Sequence, residues 1–507
     1  MARDRPSVQR PRGGHSLIRP GRARPHVKPS FVSGGGVVAS EHPYAALAGL
    51  RALEEGGNAV DAAVAVSFAL AASQPALNGL GGDFMATVLT EGRVVFFNGT
   101  GWAPRGLTVE LLRGLGLASV PRYGPLSIAV PGMVDGVHLM WRSLGSMEWA
   151  RLISPAIGIA RAGLPASPLL LEDLESIGAG GYGDGNTERI YSAARWGRVA
   201  LGGLADVLEG IAEHGPEFFY REVGADLARY VSSIGGVLEP GDLSGYRAEA
   251  SEPLSVDYRG YTIHESPPNS QGVTTLIILR ELERSSPDPR SMIEAYGRAY
   301  SLRDAYVADP RFVEVPVDEL LGTGGNGPAH GPGGGAEDTT NFVVVDSRGR
   351  VVSGVQSIYH RFGSRVTEPS HQVTLNNRAS DFSLEGPNRL EPGKRPLHTL
   401  SSVIITRDGE PFAALGTSGG HFRPQIHALL ITNMIDRGMD VAEAVEAPRF
   451  IWDGGSVTAE EGSTVDGARI VRRSRGSGVA HAVQFRGRDR MAHADGRGEG
   501  LALGEIR

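Results

Sequence analysis

The chain has 507 residues, enough for one large or two ordinary domains, and 41% hydrophobic and 21% charged residues indicate a globular protein. A net charge of −7 argues against general nucleic-acid binding, and the absence of cysteine excludes disulfides, cysteine nucleophiles and thiolate metal sites. Since no stretch approaches eighteen consecutive apolar residues, no membrane-spanning helix is predicted.

Residues 1–30 form a basic segment without the apolar core of a secretory signal. We expect a disordered basic tail or a misassigned start, with a nucleic-acid-binding arm as the less favoured alternative. On the same ground we expect a cytoplasmic protein.

The next segment predicts a strand over 36–40 and helices over 43–55 and 58–73. The second helix is apolar almost all round, so we expect it to be buried. A hairpin follows over 84–89 and 94–98. The intervening glycines at 79–82 resemble a phosphate loop, but their spacing fits neither common nucleotide-binding pattern, and close packing is the better interpretation.

Residues 125–310 are predicted to be mainly helical, with a strand region over 254–264 and helices over 134–144, 149–162, 204–214, 218–233, 274–282 and 292–309. After residue 339 the pattern indicates β structure, with hairpins over 342–357 and 402–416 and a helix over 424–437. We predict no element for the Arg- and Gly-rich segment 456–507.

A sharp change of composition precedes Thr339. The segment Leu321 to Gly335 contains eight glycines and two prolines, whereas a β-branched strand begins at Asn341. We hypothesise that the chain cuts itself between Asp338 and Thr339, which frees a threonine nucleophile whose α-amine acts as its base. The alternative is that two threonines simply begin a strand after a loop.

A threonine nucleophile that attacks an amide needs donors for the oxyanion. Gly419 and Gly420 lie between a predicted strand and a predicted helix, where backbone N–H groups and the positive helix end suit that task. The alternative is an ordinary glycine turn in α/β packing.

Several motifs together resemble the γ-glutamyltranspeptidase family, over about residues 36–455. They occur in the family's order: Gly56-Gly57-Asn58-Ala59-Val60-Asp61-Ala62-Ala63, Asn78-Gly79-Leu80-Gly81-Gly82, Asp257-Tyr258-Arg259-Gly260-Tyr261, Thr339-Thr340, Gly393-Lys394-Arg395-Pro396-Leu397 and Ser418-Gly419-Gly420. The resemblance implies an α+β fold, the four-layer αββα sandwich of N-terminal nucleophile hydrolases. It also implies one intertwined catalytic domain, cut into a large-subunit part, 31–338, and a small-subunit part, 339–507.

The resemblance assigns roles to individual residues. It makes Thr339 the nucleophile, with Asp338 contributing the carbonyl of the cleaved bond. Gly419 and Gly420 match the oxyanion glycines. The family's second hydroxyl falls on Ser357, and Asp381 matches the aspartate that holds a substrate α-amino group.

The chain departs from the family where the substrate is bound. Thr100 stands where the family has an arginine that grips the substrate α-carboxylate. The family's paired serines become His398 and Thr399, and an asparagine becomes Tyr359. We expect these four positions to line an altered substrate pocket. The residues considered as alternative anion ligands are His360, Arg361, Arg378 and His398.

The resemblance predicts a self-processing amidohydrolase or acyltransferase that acts on γ-glutamyl or similar small carboxylate-bearing amides. The sequences around Ser357 and His398 look like the branch that includes oxamate amidohydrolases. Expected partners are a small amide substrate, water or an amine acceptor, and the chain's own second fragment, without nucleic acid or membrane. No cofactor or metal is expected. Two alternatives stay open: an oxamate-type or cephalosporin-acylase-like amidohydrolase without γ-glutamyl specificity, and a non-catalytic binding relative.

Overall fold

The computed structural model describes residues 28–177, 184–322, 330–335 and 339–506. The described part of residues 125–310 is mainly helical and the chain after Thr339 is rich in strands, as the sequence predicts. The strands are β1 Phe31–Ser33, β2 Val37–Ser40, β3 Asp83–Thr90, β4 Arg93–Gly99, β5 Leu164–Pro165, β6 Arg198–Val199, β7 Glu249–Ser251, β8 Leu254–Tyr258, β9 Tyr261–Glu265, β10 Thr340–Val345, β11 Val351–Ser357, β12 Thr367–Glu368, β13 Val373–Thr374, β14 Ser402–Arg407, β15 Glu410–Thr417, β16 Phe450–Trp452, β17 Val457–Glu460, β18 Arg469–Val471, β19 Ala480–Arg486, β20 Asp489–Ala494 and β21 Leu501–Gly504.

Most helices precede β10, and two more lie between β15 and β16. They are α1 Pro43–Glu54, α2 Ala59–Ser73, α3 Val109–Gly114, α4 Met133–Leu144, α5 Trp149–Ala162, α6 Pro168–Ser176, α7 Asn186–Tyr191, α8 Gly202–His214, α9 Pro216–Phe218, α10 Gly224–Ser233, α11 Pro240–Ser244, α12 Gly272–Leu282, α13 Pro289–Tyr306, α14 Val317–Gly322, α15 Arg423–Ile435 and α16 Val441–Glu446.

Two large sheets organise the described residues. The first has the order β21-β2-β10-β11-β3-β4-β7, and the second has the order β1-β20-β19-β15-β14-β9-β8. The strand that follows Thr339, β10, lies near the middle of the first sheet, antiparallel to β2 and β11. Thr340, the first residue of β10, pairs with Gln356 of β11, and from Phe342 onward the strand is paired on both edges.

The alternation of side chains along β10 shows how the layers are arranged. Phe342 and Val344 pack into the core beneath the helices, with α2 among their neighbours. Val343 and Val345 face the other way, into a core shared by the two sheets. A further core lies between the second sheet and the helices α12, α13 and α15. The predicted αββα sandwich is confirmed.

The buried helix and the glycine turn behave as the sequence predicts. Every residue of α2 is buried, and Asn58 forms a capping box with Asp61 at its start. A Cβ on Gly81 would lie 2.2 Å from the Thr374 carbonyl oxygen, and one on Gly82 would lie 2.4 Å from that of Ser357. Close backbone packing therefore explains these two glycines.

The ends of the chain add strands to both sheets. Residues 456–507, for which we predicted no element, contain β17 to β21 within their described part. Residues 1–27 of the predicted tail lie outside the described residues, and Lys28 donates hydrogen bonds from Nζ to the carbonyls of Gly498 and Gly500. Among the described residues, no helix has the length and apolar character needed to cross a bilayer.

Candidate active site

Thr339 lies at the head of β10, and its side chain is buried at 2% exposure. The pairing of Thr340 with Gln356 brings Thr339 opposite Ser357, whose Oγ is 3.4 Å from the Thr339 Oγ1. By the alternation of β10, Thr339 points to the same side as Asn341, between the two sheets. Asp338 lies outside the described residues, so the cut between Asp338 and Thr339 stays a prediction.

The Gly419–Gly420 turn joins β15 to α15. Both glycines have positive φ, +123° and +52°, and a Cβ on Gly419 would lie 2.5 Å from the Ile426 Cδ1. These two constraints explain why glycine is needed at position 419. The Gln271 Nε2 donates to the Gly420 carbonyl at 2.8 Å and fixes the turn from the side of α12.

Two chains of hydrogen bonds connect this turn with Thr339. The Val479 carbonyl accepts from the Asn341 side chain, two residues after Thr339, and from the Ser418 backbone N–H, one residue before Gly419. On the other side, the Tyr359 N–H donates to the Ser357 Oγ at 2.8 Å. The Tyr359 hydroxyl lies 3.3 Å from the His421 Nε2, one residue after Gly420. The structure thus brings the predicted nucleophile, second hydroxyl and oxyanion turn into one network.

Asp381 is at the centre of the predicted substrate-binding side. Its Oδ1 accepts from the Tyr359 hydroxyl at 2.8 Å and lies 3.2 Å from the His421 Nε2. Its Oδ2 lies 3.4 Å from the Arg378 Nη1. Burial favours the neutral acid, but His421, Arg378 and Tyr359 outweigh burial and hold the pKa of Asp381 well below its usual range. Asp381 is therefore an anion at neutral pH.

Asp83 and His398 form a second buried pair beside Arg378. The His398 Nε2 lies 3.1 Å from the Asp83 Oδ2, and the His398 Nδ1 accepts from the Leu400 N–H, so Nε2 carries the proton. Burial, reinforced by Arg378, lowers the pKa of His398 to about 4, which leaves the imidazole neutral at pH 7. Burial raises the pKa of Asp83, but His398 and Arg378 more than offset this effect and lower it.

Thr399 and Thr100 occupy different surroundings. The Thr399 Oγ1 accepts from the Arg378 Nη1 at 3.0 Å, so Thr399 belongs to the same cluster as Asp381. The Thr100 hydroxyl donates to the Asn98 Oδ1 at 2.6 Å and accepts from the Asn269 Nδ2 at 3.4 Å. Thr100 is fully buried, and its hydroxyl contacts these two amides, whereas its backbone carbonyl accepts from the Arg395 Nε at 3.0 Å.

The other anion ligands considered from sequence are engaged elsewhere. The Arg361 Nε lies 3.2 Å from the Asp173 Oδ1. The His360 Nδ1 faces the Asn377 Nδ2 at 2.8 Å, and burial lowers the pKa of His360 to about 3. Arg378, in contrast, is fully buried against Asp83, Asp381 and Thr399.

Sequence reasoning missed two buried side chains beside the oxyanion turn, His421 and Arg303. The Arg303 Nη1 lies 3.3 Å from the His421 Nδ1 and donates to the Gln271 Oε1 at 3.0 Å. The Arg303 Nη2 donates to the Pro332 carbonyl at 2.6 Å, and the His421 N–H donates to that of Gly335 at 3.3 Å. The end of the glycine-rich segment therefore lies on His421 in the uncut chain. The position of His421 directly after the glycine pair is the sequence signal from which His421 could have been predicted.

A buried threonine at the head of a central strand, between two sheets that helices cover, is the architecture of an N-terminal nucleophile hydrolase. The profile of the γ-glutamyltranspeptidase family matches residues 45–324 and 328–504. The chain therefore belongs to the γ-glutamyltranspeptidase family.

Similar proteins within this family have different names for their activities. The glutathione hydrolase-like YwrD proenzyme of Bacillus subtilis (strain 168) is 34% identical over 462 residues, which cover 85% of this chain and 87% of the relative. The oxamate amidohydrolase proenzyme of Klebsiella pneumoniae is 32% identical, over 83% of this chain and 86% of the relative. The solved structure of the cephalosporin acylase from Bacillus halodurans superposes with a TM-score of 0.88 at 30% identity, covering 97% of this chain and 100% of that one. The family thus supports an amidohydrolase or acyltransferase.

Proposed function

We propose that this protein cuts itself before Thr339 and then hydrolyses, or transfers the acyl group of, a small carboxylate-bearing amide such as a γ-glutamyl compound or an oxamate-type amide. The observation that carries the proposal is the position of the Thr339 hydroxyl. It is buried at the head of β10 and 3.4 Å from the Ser357 Oγ, and hydrogen bonds from Ser357 through Tyr359 lead to His421, next to the Gly419–Gly420 turn. Asn341, two residues after Thr339, shares the Val479 carbonyl with Ser418 on the other side of that turn.

Self-cleavage uses the same hydroxyl that later attacks the substrate. The Thr339 Oγ1 attacks the Asp338 carbonyl, the C–N bond breaks, and the acyl group passes from nitrogen to oxygen as the nitrogen gains a proton. Water then hydrolyses this ester, which leaves residues 1–338 with a new carboxylate and Thr339 with a free α-amine. That amine has an ordinary pKa of about 8, which suits a general base near neutral pH.

In turnover, the Thr339 Oγ1 attacks the amide carbonyl of the substrate and the α-amine accepts the hydroxyl proton. Backbone N–H groups at Gly419 and Gly420 stabilise the oxyanion, helped by the positive end of α15. The same proton passes to the departing amine as the C–N bond breaks, which leaves an acyl ester on Thr339. Water or an acceptor amine resolves that ester. Ser357 holds the Thr339 hydroxyl in position for the attack.

Trapping the acyl-enzyme tests the proposal. The processed protein is mixed with an excess of γ-glutamyl or glutaryl p-nitroanilide, quenched in acid within the first turnover and measured by intact mass. We expect the fragment 339–507 to gain the mass of one acyl group, which peptide mapping assigns to Thr339. A processed wild type that releases no nitroaniline and carries no acyl group would contradict the proposal and favour a non-catalytic binding relative.

A further inference from the structure

Asp381 is already occupied by groups of the protein itself. The Tyr359 hydroxyl and the His421 Nε2 both contact its Oδ1, and the Arg378 Nη1 contacts its Oδ2. The His421 Nδ1 faces the Arg303 guanidinium, so the His421 Nε2 carries the proton that Asp381 accepts. Because three groups of the protein contact its two oxygens, Asp381 is poorly placed to accept hydrogen bonds from a substrate ammonium.

An ammonium at Asp381 would also meet a fixed cation. The Arg378 guanidinium lies 3.4 Å from the same carboxylate and is permanently charged. An ammonium would have to compete for Asp381 with this guanidinium, the Tyr359 hydroxyl and the His421 Nε2. The amino-binding role that the resemblance assigns to Asp381 is therefore disfavoured in this chain.

The Nη2 of Arg378 is a buried hydrogen-bond donor without an acceptor among the described residues. The Arg378 Nε, in contrast, lies 3.4 Å from the Asp83 Oδ2, and the Arg378 Nη1 donates to the Thr399 Oγ1. A buried charged donor without a partner is costly, so an acceptor at this position would be stabilising. The guanidinium also makes a cation–π contact with Tyr359, since its Cζ lies 3.8 Å from the centre of that ring.

Tyr359 also sets the distance from this donor to the reacting bond. Its ring lies under Arg378, while its backbone N–H donates to Ser357, the hydroxyl next to Thr339. Tyr359 therefore contacts both the Arg378 guanidinium and Ser357, the hydrogen-bond partner of Thr339. An acyl group that contacts both Thr339 and Arg378 has to be short.

We propose that Arg378 binds the free carboxylate of the acyl group, and that the preferred acyl group is a short dicarboxylic acid monoacyl group without an α-ammonium. This inference rests on the proposed function and names its substrate class. It replaces the absent family arginine at Thr100 with a guanidinium that reaches the site from the segment 376–381.

A matched series of p-nitroanilides tests the proposal. Glutaryl and γ-glutamyl anilides differ by the α-ammonium alone, and butyryl anilide is glutaryl without its carboxylate. For the wild type we expect kcat/KM for glutaryl to exceed the values for both others by about tenfold or more, as a charged hydrogen bond allows. A wild type that prefers γ-glutamyl anilide would overturn the proposal, because Asp381 would then be accepting the ammonium.

Variants at Arg378 test the residue itself. In Arg378→Gln we expect the glutaryl-to-butyryl ratio of kcat/KM to fall by about 10- to 100-fold, mainly through KM, and Arg378→Lys should restore part of it. Arg290→Gln, which removes an 89% exposed arginine, is the matched control and should leave the ratio unchanged. An equal loss for all three anilides would show that Arg378 is only structural.

Whether each protein cuts itself distinguishes misfolding of a variant from failure of the proposed function and from failure of the role of Arg378. If Arg378→Gln does not fold, it stays uncut, and the ratio measured for Arg378→Lys decides the proposal. If the wild type is cut but no anilide acylates Thr339, the proposed function fails. If acylation occurs without preference for a carboxylate, the amidohydrolase chemistry of Thr339 stands, and the role of Arg378 is contradicted.

Discussion

The nucleophile side and the acyl-binding side of the candidate site are built in different ways. The first consists of Thr339, Ser357 and the Gly419–Gly420 turn, and it depends on strand ends and backbone. The second consists of Asp83, Tyr359, Arg378, Asp381 and His398, and it depends on buried charged and polar side chains from distant segments. By the resemblance, the nucleophile side keeps a threonine, a second hydroxyl and the glycine pair, whereas the acyl-binding side keeps Asp381 but departs from the family at Tyr359 and His398. Reaction type and substrate choice are therefore separate structural questions in this protein.

Changes on the nucleophile side should lower activity towards every substrate alike. We expect Gly419→Ala to show the largest effect, a loss of about 100- to 1,000-fold in kcat, because a Cβ there strains the positive φ, meets Ile426 and displaces an oxyanion donor. The measurement is kcat for the three anilides on processed protein.

Gly438→Ala is the matched control for Gly419→Ala. Gly438 also has a positive φ, but a Cβ there meets nothing within 4 Å. It should keep the wild-type kcat. A small loss for Gly419→Ala, or one confined to a single anilide, would contradict the division between the two sides.

On the acyl-binding side, the buried His398 should make the free energy of unfolding depend on pH in the acid range. The pKa of His398 is about 4 in the folded chain and near 6.5 in the unfolded chain. Between these values the unfolded state binds a proton that the folded state does not, so the free energy of unfolding falls as the pH drops through this window. For His398 alone the loss reaches about 3 kcal/mol.

Urea unfolding near pH 7 and near pH 4 measures this loss. His398→Gln removes the titrating group, so its decrease should be smaller than that of its parent. Both proteins should carry Thr339→Ala, which keeps the chain in one piece, and the other buried histidines then contribute equally to both. Equal decreases would contradict a neutral, buried His398.

The smallest expected effect is at Ser357. Removing its hydroxyl takes away the 3.4 Å contact with the Thr339 Oγ1, and we expect Ser357→Ala to lower kcat by about tenfold for all three anilides. Ser357→Thr keeps a hydroxyl and should retain most of the activity. A variant that changes selectivity rather than kcat would place Ser357 on the acyl-binding side.

The sequence points to the residues of the nucleophile side more directly than to those of the acyl-binding side. Local patterns carry the first: a glycine-rich segment ends before a β-branched strand at Thr339, and a glycine pair lies between β15 and α15. The αββα sandwich, in contrast, was implied by the resemblance to the family and not by these local patterns. The strands after residue 456 were missed because their pattern is interrupted by arginine and glycine.

The acyl-binding cluster could not be derived in the same way. Arg378 contacts Asp83, almost three hundred residues earlier in the chain, and Thr399, twenty-one residues later. Nothing in the local pattern shows which of several cations is buried and which is engaged elsewhere, as Arg361 is with Asp173. Side-chain partnerships between distant segments become visible only when the fold brings them together.

The central claim is that the Thr339 hydroxyl attacks the Asp338 carbonyl and so cuts the chain before Thr339. Intact-mass measurement of the purified wild type and of Thr339→Ala tests it most directly. We expect the wild type to give two fragments, 1–338 and 339–507, the second with threonine at its N-terminus, and Thr339→Ala to give one uncut chain. A wild type that stays whole, or a Thr339→Ala variant that is still cut at this bond, would contradict the account.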